Sequence, residues 1–219
     1  MIRPIRSYVL RQGRVTPAQE RALETLLPRF GVSFRDSFLD VQALYGRKAP
    51  LVLEIGSGMG ETTAEIARAR PETDFLAVEV HAPGVGSLLR LIERHALKNL
   101  RVIRHDAVEV LEKMIPDGAL AGIHLFFPDP WPKKRHHKRR LVQPAFAALA
   151  ARKLAPGGTL HAATDWADYA AQIEEVFSRN GQFRKTEARA GFRPVTKFET
   201  RGVRLGHEVR DLLFLRRQE

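Results

Sequence analysis

The chain has 219 residues, 44% of them hydrophobic and 28% charged, and its 36 Lys and Arg against 25 Asp and Glu give a formal net charge of +11. That length fits one domain with short appendages, and the cationic surplus favours a polyanionic partner, nucleic acid before an anionic membrane surface. The absence of cysteine excludes disulfides, thiolate metal sites, iron–sulfur clusters and cysteine nucleophiles.

Residues 1–15 carry Arg3, Arg6, Arg11 and Arg14 with little apolar content and read as a basic, flexible arm without the apolar core of a signal peptide. No run reaches the length of a membrane span, so the chain is expected in the cytoplasm with no membrane partner. Thr16-Pro17-Ala18-Gln19 combines an N-cap, a proline in the first turn and a capping-box glutamine. It predicts a helix that ends near Leu27, before Pro28, within an N-terminal helix and connector over 16–49. From residue 50 to 219 one domain is expected, in which strand-like and helix-like runs alternate. The strands are 51–56, 75–80, 100–106, 122–128 and 158–165. Helices are expected at 61–70, 86–96, 107–115, 143–154 and about 166–179. Repeated βα units of this kind imply an α/β fold with a Rossmann-like, doubly wound, mostly parallel sheet. Two last strands, 182–188 and about 208–216, lack an intervening helix and suggest an antiparallel C-terminal hairpin.

The first strand ends in Glu54-Ile55-Gly56-Ser57-Gly58-Met59-Gly60. Glycines in a strand-to-helix turn let a ligand approach the backbone and the helix N-terminus. The spacing is GxGxG, and Glu61 stands where the dinucleotide fingerprint requires Gly or Ala. A carboxylate there would repel a pyrophosphate, which argues for a nucleoside cofactor without phosphates. Glu54 interrupts an apolar run and needs a partner, either an arginine or a ligand cation. Glu79 ends the second strand at a position suited to ribose hydroxyls, or as a plain polar strand end. Asp106 ends the third, as an acceptor for an adenine amine or as a helix cap. The GxGxG turn with acidic ends on successive strands resembles the class I S-adenosylmethionine-dependent methyltransferases.

The segment 122–140 is the most distinctive. An apolar strand stops at Pro128-Asp129-Pro130-Trp131-Pro132, and six of the next eight residues are Lys or Arg. A carboxylate and an aromatic ring beside a cationic run suggest chemistry next to a polyanion. The bland reading is a solvated loop whose Trp131 packs into the core. His136-His137 lies among cations, so a protein-bound metal is not expected.

Residues 128–141, PDPWPKKRHHKRRL, and 196–212, TKFETRGVRLGHEVRDL, closely resemble the bacterial tRNA (guanine-N7-)-methyltransferases, and residues 5–19 and 78–89 look similar. The resemblance implies that Glu54, Glu79, Asp106 and Asp129 contact S-adenosylmethionine, with Gly56, Gly58 and Gly60 forming its turn. It makes Asp129 the catalytic residue as well. Lys133, Asp165, Thr196, Lys197, Phe198 and Glu199 would meet the substrate. Arg135, His136, His137, Lys138, Arg139 and Arg140 would contact RNA. The expected target is a variable-loop guanine of tRNA.

That chemistry stands on its own terms. Guanine N7 offers a free lone pair at neutral pH and needs alignment, not a general base. Its methylated form is cationic, so a nearby carboxylate stabilises the developing charge. The rival readings are a class I methyltransferase acting on an exocyclic amine, an RNA-binding module with a vestigial pocket and, more distantly, a dehydrogenase. The basic arm is expected to help hold an opened tRNA.

Overall fold

The computed structural model describes residues 6–9, 13–186, 193–196, 199–200, 204, 206 and 208–218. Helices are numbered α1 (Pro17–Thr25), α2 (Leu27–Phe30), α3 (Val41–Tyr45), α4 (Glu61–Ala69), α5 (Ala82–Arg94), α6 (Ala107–Met114), α7 (Pro144–Lys153) and α8 (Ala167–Arg179). The strands are β1 (Leu51–Ile55), β2 (Asp74–Val78), β3 (Leu100–Ile103), β4 (Leu120–Phe126), β5 (Leu154–Thr164), β6 (Phe183–Lys185) and β7 (Arg210–Arg216).

All seven join one sheet in the order β3-β2-β1-β4-β5-β7-β6. Neighbours from β3 to β5 are parallel, whereas β7 runs antiparallel to both β5 and β6. The alternating α/β reading and the C-terminal hairpin therefore stand. Strands β1 and β2 are buried at every position, as a parallel sheet covered on both faces requires. One hydrophobic cluster holds α6, α7 and α8 against one face, and a second holds α1, α4 and α5 against the other. The order of strands reverses between β1 and β4. Ligands in open α/β sheets bind at the carboxyl ends of the strands beside such a point.

The first helix begins as its sequence dictates: Gln19 N donates to Thr16 Oγ1 at 3.3 Å, and Gln19 Oε1 accepts from Thr16 N at 2.9 Å. Its end differs from expectation. The chain turns at Leu26, and α2 starts immediately with Pro28 in its first turn, where the missing N–H costs nothing. The proline thus opens a helix instead of closing one. Beyond it, Val32 N donates to Val102 O and Leu39 N to Met114 O, both at 2.8 Å, so the connector wraps the β3 edge and α6.

Several buried polar groups complete the core. Asn99 Nδ2 donates to the carbonyls of Ala67, Arg70 and Thr73 at 2.9–3.1 Å, satisfying the end of α4 and the turn after it. Replacing Asn99 with Ala leaves those buried acceptors unpaired and should lower the unfolding free energy by about 1–3 kcal/mol. Urea denaturation with an unchanged m-value checks it; an unaltered midpoint would show that water replaces the amide.

Candidate active site

A cavity of about 270 Å³ opens at the carboxyl ends of β1, β2 and β4, lined by Gly56, Gly58, Glu79, Asp106, Asp129 and their neighbours. Its floor is the glycine turn, where Gly56, Gly58 and Gly60 all have positive φ, 75°, 55° and 81°, a conformation that strains any residue with a Cβ. Close approach matters at Gly84 too. A Cβ there would lie 2.4 Å from Gly58 O, so only glycine lets α5 start against the turn.

Glu79 staples this turn to the end of β2. Its Oε2 accepts from Gly58 N, and its Oε1 from Val80 N and His81 N, each at 2.8 Å. Glu54 lies beneath the turn, outside the residues that line the cavity. Its Oε1 accepts from Thr63 Oγ1 at 2.9 Å, while its buried Oε2 has no hydrogen-bond partner. Burial above all, then the charge of Glu79, pushes its carboxyl up to about 7 despite the Thr63 bond. Among the described residues Glu54 therefore has no arginine partner, and it holds one acceptor in reserve. Asp106 lines the cavity and caps α6, accepting from Val108 N at 2.8 Å. The expected capping box is only half made, because Glu109 pairs with His105 instead.

The loop after β4 is strained on both sides of Asp129. Phe127 and Trp131 adopt φ of 50° and 45°, left-handed values that non-glycine residues keep only when their surroundings enforce them. Phe127 N donates to Ala163 O at 2.7 Å, and Arg140 Nε to Pro130 O at 2.8 Å. Asp129 and His81 line the first cavity and also a second, of about 400 Å³, bounded by Val9, Pro130, Trp131 and Pro132.

The basic run forms a 3₁₀-helix over Lys134–Arg139. Its three-residue repeat sorts the cations by position. Arg135 and Lys138 share an exposed edge. His136 and Arg139 face Trp131, the ring at 6.0 Å edge-on and the guanidinium at 4.1 Å over the indole. His137 and Arg140 face α8: His137 Nε2 is 3.6 Å and Arg140 Nη2 2.6 Å from Asp168 Oδ2. Arg140 is 2% exposed and also donates to Gln172 Oε1 at 2.7 Å. It is therefore corrected from an RNA contact to an internal brace of the Asp129 loop. Desolvation first, then Arg135 and the other flanking cations, holds the His136 imidazole below its usual range.

Trp131 is neither in the core nor open: its Nε1 donates to Ser7 O at 2.9 Å. Residues 6–9, read as part of a flexible arm, include Ser7 and Tyr8 lying over the first cavity. Burial, then the charge of Asp106, raises the Tyr8 phenol above its usual pKa. Lys133 is exposed ahead of the 3₁₀-helix. Asp165 follows β5 and precedes Trp166, the N-cap residue of α8. Thr196 and Glu199 close a reciprocal box, with Glu199 N donating to Thr196 Oγ1 at 3.0 Å and Thr196 N to Glu199 Oε2 at 3.4 Å. Lys197 and Phe198 lie outside the described residues. Sequence reasoning missed Tyr8, His81, His161, Arg193 and Asp211. Asp211, the single acidic residue of β7 and next to its apolar Leu212–Leu215 run, was the visible signal among them.

The elevated Glu54 carboxyl has a pH signature. Between its unfolded value near 4.5 and its folded value near 7, the folded state keeps a proton that the unfolded chain has lost, so stability falls as pH rises through that window. His124, held down to about 3 by burial first and then by His161 and Arg70, acts oppositely, favouring unfolding as pH falls below about 6.5. Comparing wild type with Glu54→Gln isolates the carboxylate: from about pH 4.5 to about pH 8 the variant should gain on the order of 2–3 kcal/mol relative to wild type. Urea unfolding across that range measures it, and a pH-independent difference would mean that Glu54 is ionised throughout.

Residues 48–212 match the family described as "Putative methyltransferase". The chain is 58% identical to a tRNA (guanine-N(7)-)-methyltransferase of Nitrosomonas europaea, covering 97% of each chain. It is 53% identical to the one of Chromobacterium violaceum, over 98% of this chain and 97% of that protein. Among solved structures, the 16S rRNA methyltransferase KamB superposes with a TM-score of 0.61 at 17% identity, over 86% of this chain and 99% of that one. A tRNA (m1A58) methyltransferase of Aquifex aeolicus gives 0.51 at 15%, over 78% and 63%. At such identity these two share the fold alone. With its acidic strand ends, glycine turn and near-complete coverage by close relatives, the chain belongs to the tRNA (guanine-N7-)-methyltransferase family of class I methyltransferases.

Proposed function

We propose that this protein transfers the methyl group of S-adenosylmethionine to N7 of a variable-loop guanine in tRNA, giving 7-methylguanosine. The observation that carries the reading is the shared wall: Asp129 and His81 border both cavities, so a donor in one and an acceptor in the other meet at a single carboxylate. The cofactor fits the residues present. The unpartnered Glu54 Oε2 and the acidic rim of Glu79 and Asp106 suit a ligand that carries positive charge and no phosphate, and the glycine turn leaves room for it. Gly56, Gly58, Glu79 and Asp106 would hold it, with Glu54 supporting from beneath. When bound, it supplies a methyl group already activated by its sulfonium.

The chain's own task is alignment and charge. Guanine N7 brings its own lone pair, so Asp129 need not remove a proton. Held by the strained loop, its carboxylate faces the cationic purine as it forms, and a fixed charge there acts most strongly on the transition state. Tyr8 and Ser7 exclude water from above. Lys133, Arg135 and Lys138 offer exposed cations to phosphates, which fixes register without reading sequence. A carboxylate accepts from the guanine N1–H and N2–H₂ edge, and Asp165 at the end of β5 takes that role on its match to the family's substrate contacts. The work belongs in the cytoplasm, where tRNA is modified.

Methyl transfer from labelled S-adenosylmethionine to bulk tRNA, followed by digestion to nucleosides, tests the reading. 7-Methylguanosine is the expected product. Another methylated nucleoside would move the target to an amine, and tRNA binding without transfer would leave a binding module. Asp129→Ala should lower turnover by about 10²–10³-fold with tRNA affinity nearly intact; equal turnover would remove Asp129 from the mechanism. Neutralising Arg135 and Lys138 should reduce the salt-dependence slope of tRNA binding by roughly one to two, whereas Arg140→Ala should leave the slope alone and lower the melting temperature. A slope that follows Arg140 instead would reverse the assignment of the helix edges.

A further inference from the structure

Between the Asp129 loop and the turn that carries Thr196 and Glu199 lies a guanidinium that the sequence reading did not use. Arg193 is 8% exposed in its side chain. Its Nε and Nη2 donate to Asp211 Oδ1 and Oδ2 at 2.8 and 2.7 Å, and its Nη1 donates to Glu199 Oε2 at 2.6 Å. The same group lies 5.8 Å from the Phe126 ring and 5.7 Å from the Phe127 ring, two walls of the first cavity. Asp211 is itself anchored. It pairs in register with Ala163 of β5, whose carbonyl takes the Phe127 N–H, and its Oδ1 meets His161 Nε2 at 2.7 Å. Against the burial that would raise it, hydrogen bonds from His161 and Arg193 hold the Asp211 carboxyl below the usual carboxylate range.

We infer that Arg193 is a positioning residue for methyl transfer, acting by holding the Glu199 carboxylate and the turn that carries it in place. The inference rests on the methyltransferase reading above and adds to it. Glu199 Oε2 is occupied twice, by Arg193 and by Thr196 N, so the fork fixes where this carboxylate points. The planar fork joins two carboxylates from separate segments, a geometry that an ammonium cannot reproduce. Breaking it leaves two like charges side by side and frees the Thr196–Glu199 turn from the carboxyl end of β5 and the amino end of β7. It also removes the cation that backs Phe127, the left-handed residue two places before Asp129. Misplacing reacting groups by about 1 Å costs on the order of 10²-fold in rate.

The test is a double-mutant cycle on the tRNA-methylating protein with Arg193→Ala, Glu199→Ala and both together, reading kcat, KM for tRNA and cofactor affinity. Each single variant should lose about 10–10²-fold in kcat while cofactor affinity stays within about twofold, and the double variant should lose no more than the worse single. Arg193→Lys should recover little of the loss. Multiplying losses in the double variant would overturn the inference, because Glu199 would then act independently of Arg193. A folded Arg193→Ala or Arg193→Lys protein with wild-type kcat would overturn it as well, even if its melting temperature fell. Should Arg193→Ala not fold, Arg193→Lys and Asp211→Asn carry the same reading. The nucleoside made by wild type is identified first: a product other than 7-methylguanosine defeats the proposed function, while the cycle still reads the clamp on whatever transfer wild type performs.

Discussion

One buried guanidinium decides the shape of the reactive loop. Two left-handed residues flank Asp129, each at a cost of order 1–3 kcal/mol, and the chain would relax without restraint. Arg140 supplies it by reaching back to Pro130 O while its other donors are fixed on Gln172 and Asp168. The ring of Tyr169 lies 4.8 Å beneath. A loop on the rim of an open sheet is thereby tied to the interior of α8. Tied in this way, the loop sets Asp129 on the wall that the two cavities share.

Around that fixed carboxylate, negative charge is graded by depth. Glu79 gives three acceptor sites to backbone amides and keeps its place in the cavity wall. Asp106 divides itself between α6 and the cavity. Glu54 is the deepest, and it alone of the three keeps a buried oxygen without a partner. In register beside it lie His124 and then His161, so a polar row crosses β1, β4 and β5 inside an otherwise apolar layer. The row leads through Asp211 to Arg193. Among the cations near the site, Arg135 and Lys138 stay on the outside of the 3₁₀-helix, whereas Arg140 and Arg193 are turned inward.

Much of this was legible in the residues. Apolar runs of strand length separated by helical patterns gave the sheet, and glycine spacing with acidic strand ends gave the cavity. What escaped was set by geometry that a linear pattern does not carry. Six cations in eight residues look equivalent until a three-residue repeat turns Arg140 inward and leaves Arg135 outside. Pro28 reads as a stop because sequence alone does not show that the chain has already turned at Leu26. Trp131 reads either as a ring beside a polyanion or as core packing, whereas its partner is a main-chain carbonyl in an arm expected to be free. Arg193 precedes the Thr196–Glu199 motif by three positions, yet its importance depends on a strand that returns only at Asp211.

The 3₁₀ winding of the basic segment also makes its length more critical than its content. With three residues to the turn, removing one residue between Lys134 and Arg139 would rotate everything downstream by about a third of a turn. Arg140 would leave its pocket, a lysine or histidine would be driven toward Asp168, and the brace on Pro130 would be lost. Exchanging one outward cation for another alters a surface. Deleting one re-indexes the site, so this stretch is constrained as a ruler is, by count.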